Sequence, residues 1–194
     1  MPIIQGTNLS QGVHAPVFQR SLGTPAVDST TAIHAAVTDT GVQVVVTTSI
    51  TDPDDPRNIT ATAGGTTADI KAVQVIIAGT NAEDESISET LPVFTVNTAG
   101  TVSGSKAFKT VSSITIPAHD GTGATTATGT GGLVGIGHRL ARNTILKSFL
   151  NDALEGTAPT VATSATAIES NTCDFNSAWD GNEAHIIFVD TGAE

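Results

Sequence analysis

The 194-residue chain has a net charge of −11, a sequence pI near 4.6 and only 14% charged residues. That balance excludes the usual nucleic-acid binder, which needs a basic stripe to displace counterions. The length allows one sizeable domain or two small ones.

A surface this poor in charge must be covered by Thr, Ser, Asn and Gly. Such a surface suits exposed β-structure, where Thr has good propensity, and a subunit whose faces are partly covered by neighbours. The acidity itself reads as a solubility device. Cys173 is the only cysteine, so neither an intrachain disulfide nor a CxxC metal site can form; in "SNTCDFNS" it reads as a small β-residue. The N-terminal stretch lacks the basic and apolar segments of a signal peptide. No run approaches the roughly 18 apolar residues of a membrane helix. The expectation is synthesis in a cytosol, with no membrane partner.

Residues 1–30 mix Pro2, Pro16 and Pro25 with Gly6, Gly12 and Gly23 and show no periodic apolar face. They are expected to form an extended N-terminal arm, with residues 31–194 as a β-rich domain. The arm carries Ile3, Ile4, Leu9, Val17, Phe18 and Leu22, too many apolar side chains for a freely solvated tail. These six are the candidate partner-contact residues. From Gly41 onward short strands alternate with turns. "GVQVVVTTSI" is expected to be a strand with Val42, Val44 and Val46 on one face. "DPDDPR" is a turn, because each proline fixes its own φ and restrains the residue before it. "NITATA", "DIKAVQVIIAGT" (Val73, Val75 and Ile77 on one face), "SISETLPVFTV" and "KAFKTVSSITIP" follow as strands, with "NAEDES" as a hairpin turn. Turn signals every 8–12 residues or so mark a sandwich or barrel.

Residues 119–137 are rich in Gly, Thr and Ala and are a possible internal boundary, although a strand bordered by loops fits better than a linker. "HRLARNTILKSFLNDALEG" is the one helical candidate, yet "NTILKSFLND" reads equally well as a strand ending in a turn. Three strand-like pieces close the chain. The fold class expected is mainly β: an antiparallel sandwich or barrel-like domain with an extended N-terminal arm and little helix.

The residues that could carry chemistry form no familiar constellation. His14, His34, His119, His138 and His185 show neither HxxxH nor HxH spacing. The glycines of "GTGGLVGIG" match no nucleotide loop. Asp52, Asp54 and Asp55, or Glu83, Asp84 and Glu85, could offer oxygen ligands to calcium, but acidic turn tips that discourage sheet aggregation explain them equally well. No Ser lies in GxSxG. The sequons at Asn8 and Asn58 matter only in a secretory protein. With Trp179 alone and no Tyr, the aromatic platforms of a sugar-binding groove are not evident, nor are the paired carboxylates of a glycosidase. No catalytic residue, cofactor or metal is assigned, and the chain is expected not to be an enzyme.

The stretch "DPRNITATAGGTTADIKAVQVIIAGTNAEDESISETLPVFTVNTAGTVSGSKAFKTVSSITIPAHDGTGATTATG" resembles a type of virion structural protein of tailed bacteriophages, in the "DPRN", "TAGG", "GTN…ETLP", "GSKAFKTV" and "IPAHDGTGAT" segments. The likeness covers Asp55 to about Gly129, and residues 138–172 match more loosely. It implies a component of the virion, assembled from chains made in the host bacterial cytoplasm. The favoured role is a capsid decoration protein on the head exterior, with the major capsid protein and copies of itself as partners. A tail-tube or other tail subunit and a host-glycan binding module are the alternatives.

Overall fold

The computed structural model describes residues 16–189. Half of the described residues lie in strands, arranged in three antiparallel sheets. Helix is limited, among the described residues, to single 3-10 turns at Thr67–Asp69 and Ile168–Ser170. The mainly β, sandwich- or barrel-like class is the one expected.

The first sheet orders β1 (Val17–Gly23), β14 (Ala184–Val189), β10 (Ile145–Leu150) and β11 (Ala153–Leu154). The second orders β12 (Thr160–Ala162), β13 (Thr172–Asp174), β9 (Ala124–Gly135), β4 (Arg57–Gly65) and β7 (Gly100–Phe108), with β2 (Ser29–Thr38) also on β9. The third orders β3 (Val44–Val46), β8 (Thr110–Ile116), β5 (Ile76–Thr80) and β6 (Ser86–Thr90).

Strand β9 is the spine. It pairs with β4 along one side, and with β2 and then β13 on the other. Its small residues let these backbones close in: a Cβ at Gly129 would collide with the Ser29 carbonyl of β2, which is the usual reason for glycine inside a strand. The Gly/Thr/Ala tract at 119–137 therefore contains a central strand that serves two cores. Ala124 belongs to the core built around Ile59, Ile77, Phe108 and Ile114. Val134 belongs to the core of Leu22, Leu140, Trp179, Ile186 and Phe188.

Three local expectations are refined. "DIKAVQVIIAGT" is regular only over β5. Pro92 has no N–H, so the β5–β6 ladder ends at the Ile76–Thr90 pair and continues as single bonds from Leu91 N–H to Val75 O (2.8 Å) and from Phe94 N–H to Val73 O (3.1 Å). Val75 and Ile77 are nonetheless fully buried and Val73 packs against them, as the alternation requires. In "GVQVVVTTSI" only β3 is a strand, and Val42 lies outside it, exposed. The helix-or-strand segment is the hairpin β10–β11, whose two turn residues Asn151 and Asp152 have φ of 52° and 60°. Two positive φ angles mark a type I′ turn, which Asn and Asp tolerate better than other residues with a side chain.

The arm expected over residues 1–30 is corrected over 17–23. This segment is strand β1, in register with β14 from Val17↔Val189 to Gly23↔Ala184. An edge strand needs only one buried side chain to belong to a sheet. Here that side chain is Leu22, 4% exposed, which leaves no apolar periodicity to read.

Candidate partner-contact surface

Of the candidate contact residues, Ile3, Ile4 and Leu9 lie outside the described residues. Val17 and Phe18 are exposed on β1, at 60% and 44%. Leu22 is the correction: it is buried in the second core of its own chain and is a packing residue, not a contact for a partner.

What ties the segment after β1 to the body is the acidic turn at 52–57. Asp55 Oδ2 accepts the Thr24 N–H (2.9 Å) and Asp54 Oδ2 the Ala26 N–H (2.6 Å). Arg57, whose side chain is fully buried, completes the clasp. Its Nε and Nη2 donate to the Gly131 carbonyl at 2.9 and 2.6 Å, Nη1 donates to Ala26 O at 2.8 Å, and Nη2 pairs with Asp28 Oδ1 at 2.5 Å. The next residue, Asn58, is also buried; it donates to Gly104 O and accepts from Leu133 N–H. "DPDDPRN" is thus a junction where the chain after β1, the start of β4 and the spine β9 meet. Burial raises the Asp55 carboxyl above its ordinary range, against the lowering effect of the Thr24 hydrogen bond. Sequence reading missed Arg57 because arginine is ordinarily exposed. The available signal was a lone cation closing a turn with three aspartates, three residues after Asp54.

The other groups weighed as ligands are engaged structurally. Asp52 Oδ1 accepts the Val111 N–H (2.8 Å). Glu83 forms a two-pronged pair with Arg139, which holds its carboxyl below the usual range. Asp84 pairs with Lys109 at 2.6 Å. Glu85 accepts from the Asn81 amide at 2.9 Å. Among the described residues no group of three or more His, Cys, Asp or Glu side chains is arranged to hold a metal ion.

His119 Nδ1 accepts the Lys71 N–H (3.1 Å), which leaves Nε2 to donate to Thr126 Oγ1 (3.2 Å); burial lowers its pKa. His185 stacks on Phe149 at 4.7 Å. His34 Nδ1 lies 2.7 Å from the Ala35 carbonyl.

Trp179 borders a cleft of about 320 Å³ with Asp28 and Asp174. The indole is only 3% exposed, and its N–H is spent on the Gly132 carbonyl at 2.8 Å. Its ring therefore anchors the second core and offers no face for a sugar to stack on. Asp174 is raised by burial and then by Asp28, while Arg57 opposes the shift. A neighbouring cleft of about 210 Å³ is lined by Asp28, Ser29, Thr30, Thr60, Thr101 and Thr130 among others.

The exposed feature with the most apolar character near β1 is a cavity of about 190 Å³ lined by Phe18, Gln19, Arg20, His138 and Phe188. Phe18 lies against Phe188, ring centroids 6.0 Å apart. Arg20 lays its guanidinium over Gly137, where a Cβ would collide with Nη2.

In comparisons with known proteins, no family model, no curated protein and no solved structure matches the chain.

Proposed function

We propose that the chain is a non-enzymatic structural component of a tailed-bacteriophage particle, a decoration protein that binds the outer head surface and stabilises the shell. The observation that carries this reading is the employment of the polar residues at and just before the entry to the segment of resemblance. Asp52, Asp54, Asp55, Arg57 and Asn58 are committed to backbone groups or to one another, so the three aspartates that could have been cation ligands serve, with their two neighbours, as fasteners of a β-framework. A low-charge framework with an apolar, exposed strand at one edge suits a subunit added to a preformed lattice.

The mechanism is linkage. Binding energy that exists only on the intact shell opposes its rupture, and repetition over a symmetric lattice adds avidity to modest single contacts. The test is immunogold labelling of whole particles with antibody to this chain, followed by heating particles with and without it. Label on the head, with earlier rupture of particles that lack the chain, is the expected result. Label confined to the tail would move the chain to a tail subunit, and absence of label from purified particles would overturn the reading.

A further inference from the structure

We propose that strand β1 is a self-pairing edge: two copies of the chain join β1 to β1 in antiparallel register about a two-fold axis at Gln19, merging their four-stranded sheets into one of eight strands. This goes beyond the particle reading and does not depend on it, since it concerns the isolated chain.

The first ground is that, among the described residues, β1 is the long edge left unguarded. Exposed edges invite pairing, and proteins blunt them with short strands, charge or covering groups. β3, β11 and β12 have three, two and three residues. The N–H groups of Ser105 and Lys106 on β7 are taken by the Glu89 carboxylate at 2.8 and 3.3 Å, and the Ser88 carbonyl on β6 by Lys106 Nζ at 3.1 Å. β2 is broken by two irregularities of register, and its Ile33 carbonyl accepts the Thr51 N–H. β1 has seven residues with one charge, Arg20, and its first five residues are exposed.

The second ground is the direction of its backbone. Val189 N–H donates to Thr144 O, and Asn151 N–H to Glu183 O. The odd-numbered residues of β14 therefore turn towards β10, and Ile186 and Phe188 turn towards β1. Their partners Arg20 and Phe18 spend their backbone groups inside the sheet. Val17, Gln19 and Ser21 direct theirs outward, because backbone groups alternate along a strand.

The third ground is register. With the two-fold at Gln19, all three outward residues pair: Gln19 with Gln19, and Val17 with Ser21, twice. Phe18 then faces Arg20 of the other copy in a non-hydrogen-bonded pair, where side chains approach most closely. Each guanidinium meets an exposed ring, a favourable cation–π arrangement. No hydrogen bond or ion pair among the described residues engages the Arg20 guanidinium, as for Arg142 and Lys147, so it is available to a ring of the other copy, whereas Arg57, Lys71, Lys106, Lys109 and Arg139 have carboxylate partners. Centring on Arg20 would set like charges opposite each other, which is unfavourable. Centring on Phe18 would set Arg20 opposite Pro16 and lose both guanidinium–ring contacts.

The test uses single cysteines in the full chain; Cys173 is buried and does not compete. Two Gln19 Cα atoms would sit about 5.5 Å apart, within disulfide range. Two Ser21 Cα atoms would lie about 13 Å apart, four residues along the strand. Under mild oxidation, Gln19→Cys should give a covalent dimer at least tenfold faster than Ser21→Cys, and both reduced variants should keep the parent melting curve. Phe18→Ala and Arg20→Ala should each weaken self-association in sedimentation at least fivefold. Equal cross-linking of the two cysteine variants overturns the register and with it the proposal. A chain that sediments as a monomer while the Gln19 amide is protected from hydrogen exchange overturns it too, because the edge would then be covered by the chain's own residues.

Discussion

Arg57 and Gly131 stand 74 positions apart in sequence, and two N–H groups of the one converge on the carbonyl oxygen of the other. The glycine is required for the meeting. A Cβ at 131 would crowd the Asn58 side chain, which holds the next turn of the same junction. The fully buried guanidinium also reaches Ala26 O and Asp28, so one side chain fixes β9, the start of β4 and the segment that follows β1.

Arg57→Ala should therefore destabilise the chain by about 3–5 kcal/mol, because it strands the Gly131 and Ala26 carbonyls and unpairs Asp28. That is a large fraction of the roughly 5–15 kcal/mol that a domain possesses. Urea melts of purified wild type and variant check it. A loss below about 1 kcal/mol would show that the junction is not a keystone.

Leu22 and Val17 occupy the same strand with opposite burial. Leu22→Ala should cost about 2–5 kcal/mol, the range for emptying a packed core position. Val17→Ala should stay within about 0.5 kcal/mol, as for exposed positions without special contacts. The contrast in melting temperature between the two variants reads directly whether β1 is a folded part of the body.

Cys173 is 0% exposed, and burial, with a smaller contribution from Asp174, pushes its thiol up to about 12. Since the thiolate is the reactive form, the native protein should not react with an aromatic disulfide reagent at pH 8, and one thiol should titrate after denaturation. Rapid modification of the native chain would contradict the packing of the second core.

Much of the sheet framework was legible because buried strands alternate. Val75 and Ile77 face inward as the pattern requires, and the two-residue turn Asn151–Asp152 settles a segment whose apolar spacing fits helix and strand alike. β1 was not legible, because a strand that buries Leu22 alone has no period. The role of Arg57 was hidden for a different reason. Burial of a cation depends on partners such as Gly131 that only the fold brings near, so residue type argues for the surface. The motif was visible as a turn, but its function as a fastener is a long-range property. The candidate surface was half legible: exposed apolar residues at 17 and 18 could be named, while the unguarded edge and its register depend on what β14 and β10 do.

His119 gives the fold a dependence on pH. In the native state its Nδ1 accepts the Lys71 N–H, and the ring is 7% exposed. Protonation would add a charge in a buried position and turn the acceptor into a second donor facing that N–H. Burial accordingly lowers the folded pKa below the ordinary 6.5, although Asp39 works in the opposite direction. The unfolded chain then binds the proton more readily than the native one, so stability rises with pH across this window. The contribution is fully present above about pH 6.5 and is lost as pH falls through the lowered folded value. His119→Gln, which keeps a polar side chain but cannot titrate, should flatten this part of the curve. Unfolding free energies measured by urea at several pH values between 4.5 and 7.5, for wild type and variant, isolate the effect as their difference. If that difference does not change with pH, the ring binds its proton alike in the folded and unfolded chain, and its role as a buried acceptor fails.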